Sequence, residues 1–343
     1  MSKKPRVTIS DVAEAVGLHK STVSLALRND PRVAGKTRER IMRAVAELGY
    51  VPDAHLSNLM GYLRKISSEQ AAKHEVVAYL STEPSPESDI HRVQFFRKFR
   101  EGAHGELDRL GYRMESFKLG DYAFNEKRLV SVLRSRNIQG IIVSPPVGLD
   151  DLGDFNWEGF AAITLGYRLA RPPIHRVSSD QMEAMSMALH HMAENGYKKI
   201  VFAYHKGRDR HSKRRWSITL VGSNRLYPTV EETIPYAGEP DEEFAEFFKN
   251  RGADGLISMG PDYPERLTAS GLHLPRDFGC LLLSADSGPP PYAGVDQQPA
   301  YLGRLAAQQV AGMLSRHELG LPAVPYTLQV PPQWHHGSTC PPR

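Results

Sequence analysis

The fold of the N-terminal region is set by the stretch Val7-Thr-Ile-Ser-Asp-Val-Ala-Glu-Ala-Val-Gly17 and by Lys20-Ser-Thr-Val-Ser24, which follows it. Thr8 and Asp11 have the spacing of a capping box, which predicts that a helix begins here. Behind them, apolar residues recur at helical spacing and predict one inward stripe, formed by Ile9, Val12, Ala13 and Val16. Gly17 is the residue expected where a chain leaves a helix through a left-handed turn.

Two more short helices are predicted after this turn. The first fits Lys20–Leu27, with an inward face of Val23, Ala26 and Leu27. The second fits about Gly35–Leu48, with an inward face of Ile41, Val45 and Leu48 and a stop at Gly49. Two short helices joined by a tight turn, the second opening with small polar side chains, are the helix-turn-helix layout, in which that second helix lies in the major groove of DNA.

The charge of the chain is concentrated in the same region. Overall the formal net charge is only +4, in a chain of 343 residues with 41% hydrophobic and 24% charged residues. Residues 1–65, however, carry twelve Lys and Arg against six Asp and Glu, a net charge of +6, and the rest of the chain carries −2. A basic head on a nearly neutral body indicates a polyanion-binding module joined to something else, although a solvated basic face remains an alternative.

The N-terminal stretches resemble the headpiece of the lactose-repressor (LacI/GalR) family of bacterial transcription regulators, as do Val33-Ala-Gly-Lys-Thr-Arg38 and Glu47-Leu-Gly-Tyr-Val-Pro52. The resemblance implies that Lys20 and Ser21 read bases at the start of the recognition helix. It places further DNA contacts, mainly to phosphates, at Thr8, Ser10, Thr22 and Ser24. Arg28 and Arg38 are further phosphate candidates, with a solvated surface position as the alternative. His19 belongs to the same predicted surface but stands where relatives carry a Ser or Thr cap, and Leu25 replaces a frequent polar base contact.

A hinge helix is implied after the headpiece, in the stretch Asp53-Ala-His-Leu-Ser-Asn-Leu-Met-Gly61. Leu59 matches the leucine that the family inserts into the minor groove of the operator, where an apolar wedge opens a base step. The alternative is an ordinary linker helix that packs Leu56, Leu59 and Leu63 on the body. The predicted boundaries are therefore a headpiece at 1–51, a hinge and linker at 52–74, and a body at 75–343.

The body alternates short apolar runs with amphipathic helical stretches, which is typical of α/β folds with parallel sheets. The predicted strands are Val76–Leu80, Gly140–Val143, Ala161–Leu165, Ile200–Tyr204, Gly255–Met259 and Cys280–Leu283. Landmarks such as Gly102 and Gly303 extend the resemblance to the family's effector domain, a two-lobed fold like periplasmic binding proteins (type I). This implies chain crossovers between the lobes near residues 178, 295 and 325, with a ligand cleft between the lobes.

Four residues are candidates for effector binding in that cleft. Asp180 and Asp286 match acidic positions that accept ligand hydroxyls in sugar-binding relatives, with helix capping or a strand-end turn as the alternative. Arg214 and Trp216 could clamp and stack a ligand within the run Arg208-Asp-Arg-His-Ser-Lys-Arg-Arg-Trp216. That cationic run is compatible with an anionic ligand or with a solvated loop, so the expected effector is either sugar-like or anionic. Met259-Gly-Pro-Asp262 also departs from the Asn-Asp that relatives often carry.

The sequence offers no catalytic constellation, no metal site and no cofactor motif. Gly-rich phosphate loops and His-Glu-x-x-His helices are missing, and Cys280 lies in an apolar run, as expected of a core thiol. Two cysteines and the absence of long apolar runs favour a cytoplasmic protein without a membrane segment.

These observations predict a ligand-responsive transcription regulator, most simply a repressor that binds a near-palindromic operator as a homodimer. Residues 333–343 show no leucine heptad, which favours a dimer, and Phe95, Phe96, Phe99 and Leu107 are candidates for its surface. A transport-type solute-binding protein is one alternative, but it has no use for residues 1–60. An enzyme with a DNA-binding head is the other, and it needs a catalytic site in the cleft.

Overall fold

The computed structural model describes residues 7–27, 30, 32–50, 75–81, 90–144, 151–285 and 291–343. Three of the predicted site residues, Arg28, Leu59 and Asp286, lie outside these described residues. The hinge helix predicted at Asp53–Gly61 lies outside them as well.

The headpiece consists of three helices, α1 (Ile9–Ala15), α2 (Lys20–Leu27) and α3 (Gly35–Leu48). The predicted bounds of the second and third helices are confirmed. Gly17 and Gly49 take left-handed φ angles of 61° and 65°, which ends α1 and α3 at little steric cost. A small core holds the helices together, formed by Val12, Ala13, Val23, Ala26, Val33, Ile41 and Ala44. Leu48 was predicted to face inward and is 38% exposed.

In the described part of the body, strands alternate with helices in this order: β1 (Glu75–Ser81), α4 (Ile90–Arg109), β2 (Tyr112–Lys118), a 3-10 turn (Leu119–Tyr122), α5 (Glu126–Ser135), β3 (Gly140–Val143), β4 (Ala161–Leu165), β5 (His175–Ser179), α6 (Gln181–Glu194), β6 (Lys199–Tyr204), α7 (Arg208–His211), α8 (Arg215–Leu226), β7 (Glu232–Ala237), α9 (Glu242–Asn250), β8 (Gly255–Ser258), α10 (Asp262–Ala269), β9 (Gly279–Leu282), β10 (Ala293–Asp296), α11 (Pro299–Arg316), β11 (Thr327–Val330) and β12 (Gln333–His335).

These elements form two lobes, each built on a six-stranded sheet. The first sheet has the strand order β11-β5-β4-β3-β1-β2 and is parallel throughout. The second has the order β12-β10-β9-β8-β6-β7, with only β12 antiparallel. Side chains alternate across each sheet, so that Val77 and Tyr79 enter one core while Ala78 and Leu80 enter another. Because both faces of each sheet are covered by an apolar core, the sequences of the central strands are continuous apolar runs.

Three passages join the lobes. The chain leaves the first sheet at the end of β5, returns to it through α11, and reaches β12 from β11 across Pro331 and Pro332. The passages are hydrogen-bonded to one another: the Asp180 N–H donates to the Val330 carbonyl at 2.9 Å, and the Gln298 amide donates to the Pro331 carbonyl at 2.8 Å. Relative motion of the lobes therefore acts on three short segments that lie side by side.

Helix α4 packs closely on α11 in the first lobe. Phe99 and Leu107 on α4 are fully buried there, beside Leu302 and Ala306 of α11. The interpretation that Phe99 and Leu107 form a dimer surface is therefore wrong, because the protomer's own α11 covers them. Phe95 and Phe96 are half-buried against the same core.

A buried carboxylate stabilises the contact between α4 and α11. Glu106 is 6% exposed and accepts hydrogen bonds from Arg109 at 2.9 and 2.5 Å and from Gln308 of α11 at 2.8 Å. The hydrogen bonds from Arg109 are the main reason that the pKa of Glu106 is lowered to about 2. Because this value is below the unfolded one, the ionised group stabilises the fold at neutral pH, and the contribution is lost as the pH falls toward 2.

The variant Glu106→Gln is expected to lower the free energy of unfolding by about 1–2 kcal/mol at pH 7, a modest loss because Arg109 is solvent-exposed. The difference from the wild type should shrink as the pH falls from 4.5 toward 2, because the wild-type carboxyl then loses its charge. Denaturant unfolding at several pH values measures both effects. A difference that does not change with pH would show that the charge of Glu106 contributes nothing.

Candidate DNA-binding surface and effector cleft

The start of α2 presents the two predicted base-reading residues, Lys20 and Ser21, to solvent together with His19. His19, Lys20 and Ser21 are exposed, whereas Val23 and Ala26 face the headpiece core. Thr22 and Ser24 are half-buried at the sides of the helix, as is Ser10 on α1. The structure thus brings the small polar and basic residues of α2 together at its exposed end, the geometry that helix-turn-helix proteins use in the major groove.

His19 caps α2 in place of the usual Ser or Thr. Its Nδ1 lies 2.8 Å from the Ser21 hydroxyl and 3.4 Å from the Ser21 backbone N–H. A backbone N–H can only donate, so Nδ1 is the acceptor and the Ser21 hydroxyl donates to it as well. The lone pairs of that hydroxyl oxygen remain able to accept from a base amino group.

Thr8 and Asp11 form the predicted capping box, which is confirmed. The Thr8 N–H donates to the Asp11 carboxylate at 2.7 Å and the Thr8 hydroxyl donates to it at 2.9 Å. Both bonds lower the pKa of Asp11, and the bond from the backbone N–H has the larger effect. Any phosphate contact by Thr8 would therefore use the exposed N-terminal end of α1.

Three arginines of the basic head have internal partners, which the charge count did not anticipate. The Arg32 guanidinium donates two hydrogen bonds to the Asp30 carboxylate, at 2.9 and 2.7 Å, and they are the main reason that the pKa of this buried carboxyl lies well below its usual range. Arg38 donates to the carbonyls of Asp30 and Val33, and Arg40 donates to that of Val16. These three arginines therefore stabilise the loops around α2 through their internal hydrogen bonds. Lys20 is the cation on the exposed first turn of α2.

Asp180 occupies the passage between the lobes and caps a helix there. Its Oδ1 accepts from the backbone N–H groups of Met182 and Glu183 at 3.0 and 3.1 Å, at the start of α6. This is the capping alternative considered for the residue, and a ligand contact by Asp180 stays a prediction.

Trp216 links the second lobe to the passages. Its ring is 5% exposed and packs in the lobe's core, in contact with Phe202. The indole N–H donates to Gln181 at 2.9 Å, and the amide of Gln181 donates to Gln297 at 3.0 Å. Ligand stacking by Trp216 stays a prediction, whereas the chain of hydrogen bonds ties the start of α8 to two of the passages.

A cluster of cations surrounds Tyr167 where the two lobes meet. Arg215, the first residue of α8 in the second lobe, lies 3.9 Å from the centroid of the Tyr167 ring. Lys213 lies 5.8 Å from the same centroid, and Arg176 of β5 in the first lobe lies 5.6 Å from it. Arg214, predicted to clamp a ligand, is exposed beside them. The sequence could not reveal this cluster, because Tyr167 and Arg176 are distant from residues 213–215 in the chain.

The loop that carries these cations is ordered by a buried acid. Asp209 is 7% exposed and accepts hydrogen bonds from the hydroxyls of Ser212, at 3.2 Å, and of Ser217. Lys213 and Arg214 take left-handed φ angles of 55° and 59°, which cost a residue with a Cβ some free energy. The two side chains are thus presented by a strained turn that Asp209 holds in place.

A histidine lies between two carboxylates just after the end of β6 in the second sheet. His205 follows β6, and its two ring nitrogens lie 2.8 Å from Glu239 and 2.7 Å from Asp262. Both contacts are hydrogen bonds from N–H groups when the imidazole is doubly protonated. Asp262 belongs to the segment Met259-Gly-Pro-Asp262, which departs from the Asn-Asp that relatives often carry. In the structure its carboxylate has His205 as a partner.

Within the described ranges, no helix is long and apolar enough to cross a membrane. Among those same residues, no group of three or more His, Cys, Asp or Glu is arranged to hold a metal ion. Cys280 is fully buried, and burial raises the pKa of its thiol.

Comparison with known proteins agrees with the geometry of the headpiece. Residues 8–53 match the family described as bacterial regulatory proteins, lacI family. The HTH-type transcriptional regulator MalR of Staphylococcus xylosus is 22% identical, over 91% of this chain and 93% of that protein. The ribose operon repressor of Bacillus subtilis (strain 168) is also 22% identical, over 92% and 94%. The maltose regulon regulatory protein MalI of Escherichia coli (strain K12) is 24% identical, but the match spans 59% of this chain and only 55% of MalI.

Solved structures share the fold over almost the whole chain. The complex of the transcriptional regulator CelR with cellobiose has a TM-score of 0.56 at 16% identity, covering 97% of this chain and 100% of that one. The lac repressor dimer bound to operator and the anti-inducer ONPF has a TM-score of 0.56 at 17% identity, covering 98% and 99%. The headpiece, residues 8–53, therefore matches the lacI family of bacterial regulatory proteins, and the two-lobed body shares the fold of these solved regulators.

Proposed function

We propose that the chain is a transcription repressor that binds a near-palindromic operator as a homodimer and responds to a small molecule in the cleft between its lobes. The observation that carries the proposal is the exposed first turn of α2, where His19, Lys20 and Ser21 face solvent in a helix-turn-helix headpiece. Residues 1–51 act as the DNA reader, 52–74 as hinge and linker, and 75–343 as the effector-binding and dimerisation domain. We place the protein in the cytoplasm.

Control by the effector follows from the three passages between the lobes. A ligand that contacts both lobes favours one relative angle, and the passages carry that preference toward the hinges. To change operator occupancy from almost complete to almost none, the ligand must prefer one arrangement by about 5 kcal/mol. The chain of hydrogen bonds from Trp216 through Gln181 to Gln297 supports the proposal, because it links the cation-bearing helix α8 to the passages.

The deciding experiment is selection of bound fragments from the source genome, followed by gel-shift titration of the selected site at several salt concentrations. A repressor of this kind should retain its preference for the selected site over a scrambled duplex as the salt rises, although both affinities fall. A solute-binding protein would bind neither duplex. Binding without sequence preference would contradict the proposal.

The variant Leu59→Ala is expected to weaken binding to the selected operator by roughly tenfold or more, because the proposed wedge that opens the central base step is lost. Non-specific affinity should remain nearly unchanged, since it rests on phosphate contacts. Gel shifts with operator and scrambled duplexes measure both, and Leu63→Ala serves as the control for a general loss of apolar surface. Equal losses of the two affinities would contradict the role of Leu59.

A further inference from the structure

The cation cluster around Tyr167 has no carboxylate to balance it within the described part of the chain. No described Asp or Glu forms an ion pair with Arg176, Lys213 or Arg215, whereas several other arginines of the body have acidic partners. The one hydrogen bond that the described residues offer the Arg176 side chain is to the carbonyl of Gly166, at 3.1 Å. Three positive charges thus meet where two lobes touch.

These charges are close enough to repel one another. Since Arg176 and Arg215 lie 5.6 and 3.9 Å from one ring centroid, they cannot be more than about 9.5 Å apart. That separation is about the distance over which physiological salt screens the interaction between two charges. Screening is weaker still for Arg176, because this residue is only 8% exposed. Burial, followed by the like charges of Arg176 and Arg215, lowers the pKa of Lys213. Contacts with the Tyr167 ring offset this repulsion only in part.

The cluster is also accessible to solvent, and its cations lie around a single ring, that of Tyr167. Lys213 and Arg214 are exposed, so a solute can reach the group from water. The Tyr167 ring forms a platform between the cations, and its hydroxyl is held by Gln329 of β11 at 3.2 Å. A buried guanidinium from one lobe and two cations from the other are the donors that carboxylate and phosphate oxygens bind best.

From this arrangement, and resting on the proposed function, we propose that the effector is an anion whose carboxylate or phosphate oxygens lie between Arg176 of the first lobe and Lys213 and Arg215 of the second. Such an anion is the missing counter-ion of the cluster. Because it contacts both lobes, it favours their closed arrangement, whereas the repulsion among the three cations favours opening when it is absent.

The carboxylates in the same region do not favour a neutral sugar instead. Glu239 and Asp262 could accept hydroxyl groups of a sugar, but both are already hydrogen-bonded to His205. Asp180 uses one carboxylate oxygen to cap α6. The cations are the groups that lack partners of opposite charge among the described residues.

The test measures binding of four probes to the full-length protein by thermal shift and calorimetry: inorganic phosphate, gluconate, glucose 6-phosphate and glucose, with ionic strength matched by KCl. At least one anion should raise the Tm and bind at least tenfold more tightly than glucose. A preference for gluconate or for the phosphates identifies the carboxylate or the phosphate as the natural group. Stabilisation by glucose equal to that by glucose 6-phosphate and gluconate would overturn the inference.

Variants locate the binding. Lys213→Met, at an exposed position, and Arg176→Met should each weaken anion binding tenfold or more, whereas Arg225→Gln, an exposed arginine at the other end of α8, should leave it unchanged. Unaltered anion binding in Lys213→Met would overturn the inference even if Arg176→Met does not fold. Operator binding by the unaltered protein is measured separately, so a repressor that responds only to neutral sugars overturns this inference and leaves the proposed function intact.

Discussion

Replacement of Lys20 by alanine is expected to reduce affinity for the selected operator by roughly 30-fold to 10⁴-fold. Lys20 is exposed on the first turn of α2, where a side chain reaches the base edges of the major groove. A lysine donor to guanine O6 or N7 contributes about 1–3 kcal/mol of discrimination, and the proposed homodimer carries two copies, for about 2–6 kcal/mol in total. Fluorescence anisotropy with the operator and with a scrambled duplex gives the two affinities.

The matched control is Arg43→Ala, which removes the same charge from an exposed position on α3. It should weaken operator and scrambled duplexes to the same small extent, because its effect on phosphates is independent of sequence. Lys20→Ala should instead lower the ratio of the two affinities. A ratio that Lys20→Ala and Arg43→Ala change equally would remove Lys20 from the base-reading residues.

Local patterns in the sequence predicted the headpiece accurately. The bounds of α2 and α3, the capping box at Thr8 and the turn at Gly17 depend on residues within a few positions of one another. Short-range preferences for caps, turns and helical spacing are therefore enough to place them. The six predicted body strands are confirmed for the same reason, since each is a continuous apolar run buried on both faces.

The edge strands were harder to find in the sequence. β2 and β7 lie at the free edges of their sheets and bury few of their side chains, so they lack the apolar runs that mark central strands. Pairing with β1 and β6 stabilises them, and that pairing is a tertiary contact.

Residues at the cleft were harder still, because capping and ligand binding use the same residue types. Asp180 was predicted as a ligand contact and caps α6, while Trp216 was predicted to stack a ligand and donates to Gln181. The structure places Arg215, rather than Arg214, against Tyr167. The left-handed turn at residues 213 and 214 decides which of the neighbouring arginines faces Tyr167. Neither residue of this turn is a glycine, so the sequence does not predict the turn.

The family landmarks Gly102 and Gly303 have a physical role in the contact between α4 and α11. A Cβ at Gly102 would lie 2.0 Å from the carbonyl oxygen of Ala300, and one at Gly303 would lie 2.0 Å from that of Phe99. Both neighbours are backbone atoms, which cannot rotate away as a side chain can. The two helices therefore approach as closely as they do only because neither glycine carries a side chain.

The variant Gly102→Ala is accordingly expected to lower the free energy of unfolding by roughly 3 kcal/mol, at the upper end of the usual cost of overpacking. For domains of this size the Tm should fall by roughly 6–12 °C. Gly105→Ala, one turn further along the same helix, is the control, because a Cβ there has no neighbour within 4 Å. It should raise stability by about 0.5–1 kcal/mol through the better helix propensity of alanine.

The opposite signs make the pair decisive. Both substitutions add one methyl group to α4 and improve its helix propensity by the same amount, so a difference in stability between them reports the contact with α11. Thermal and denaturant unfolding of the two variants should differ by roughly 3.5–4 kcal/mol, the sum of the expected loss and gain. Equal stabilities would mean that the helices can separate at no cost, and the close approach at Gly102 would then not hold the first lobe together.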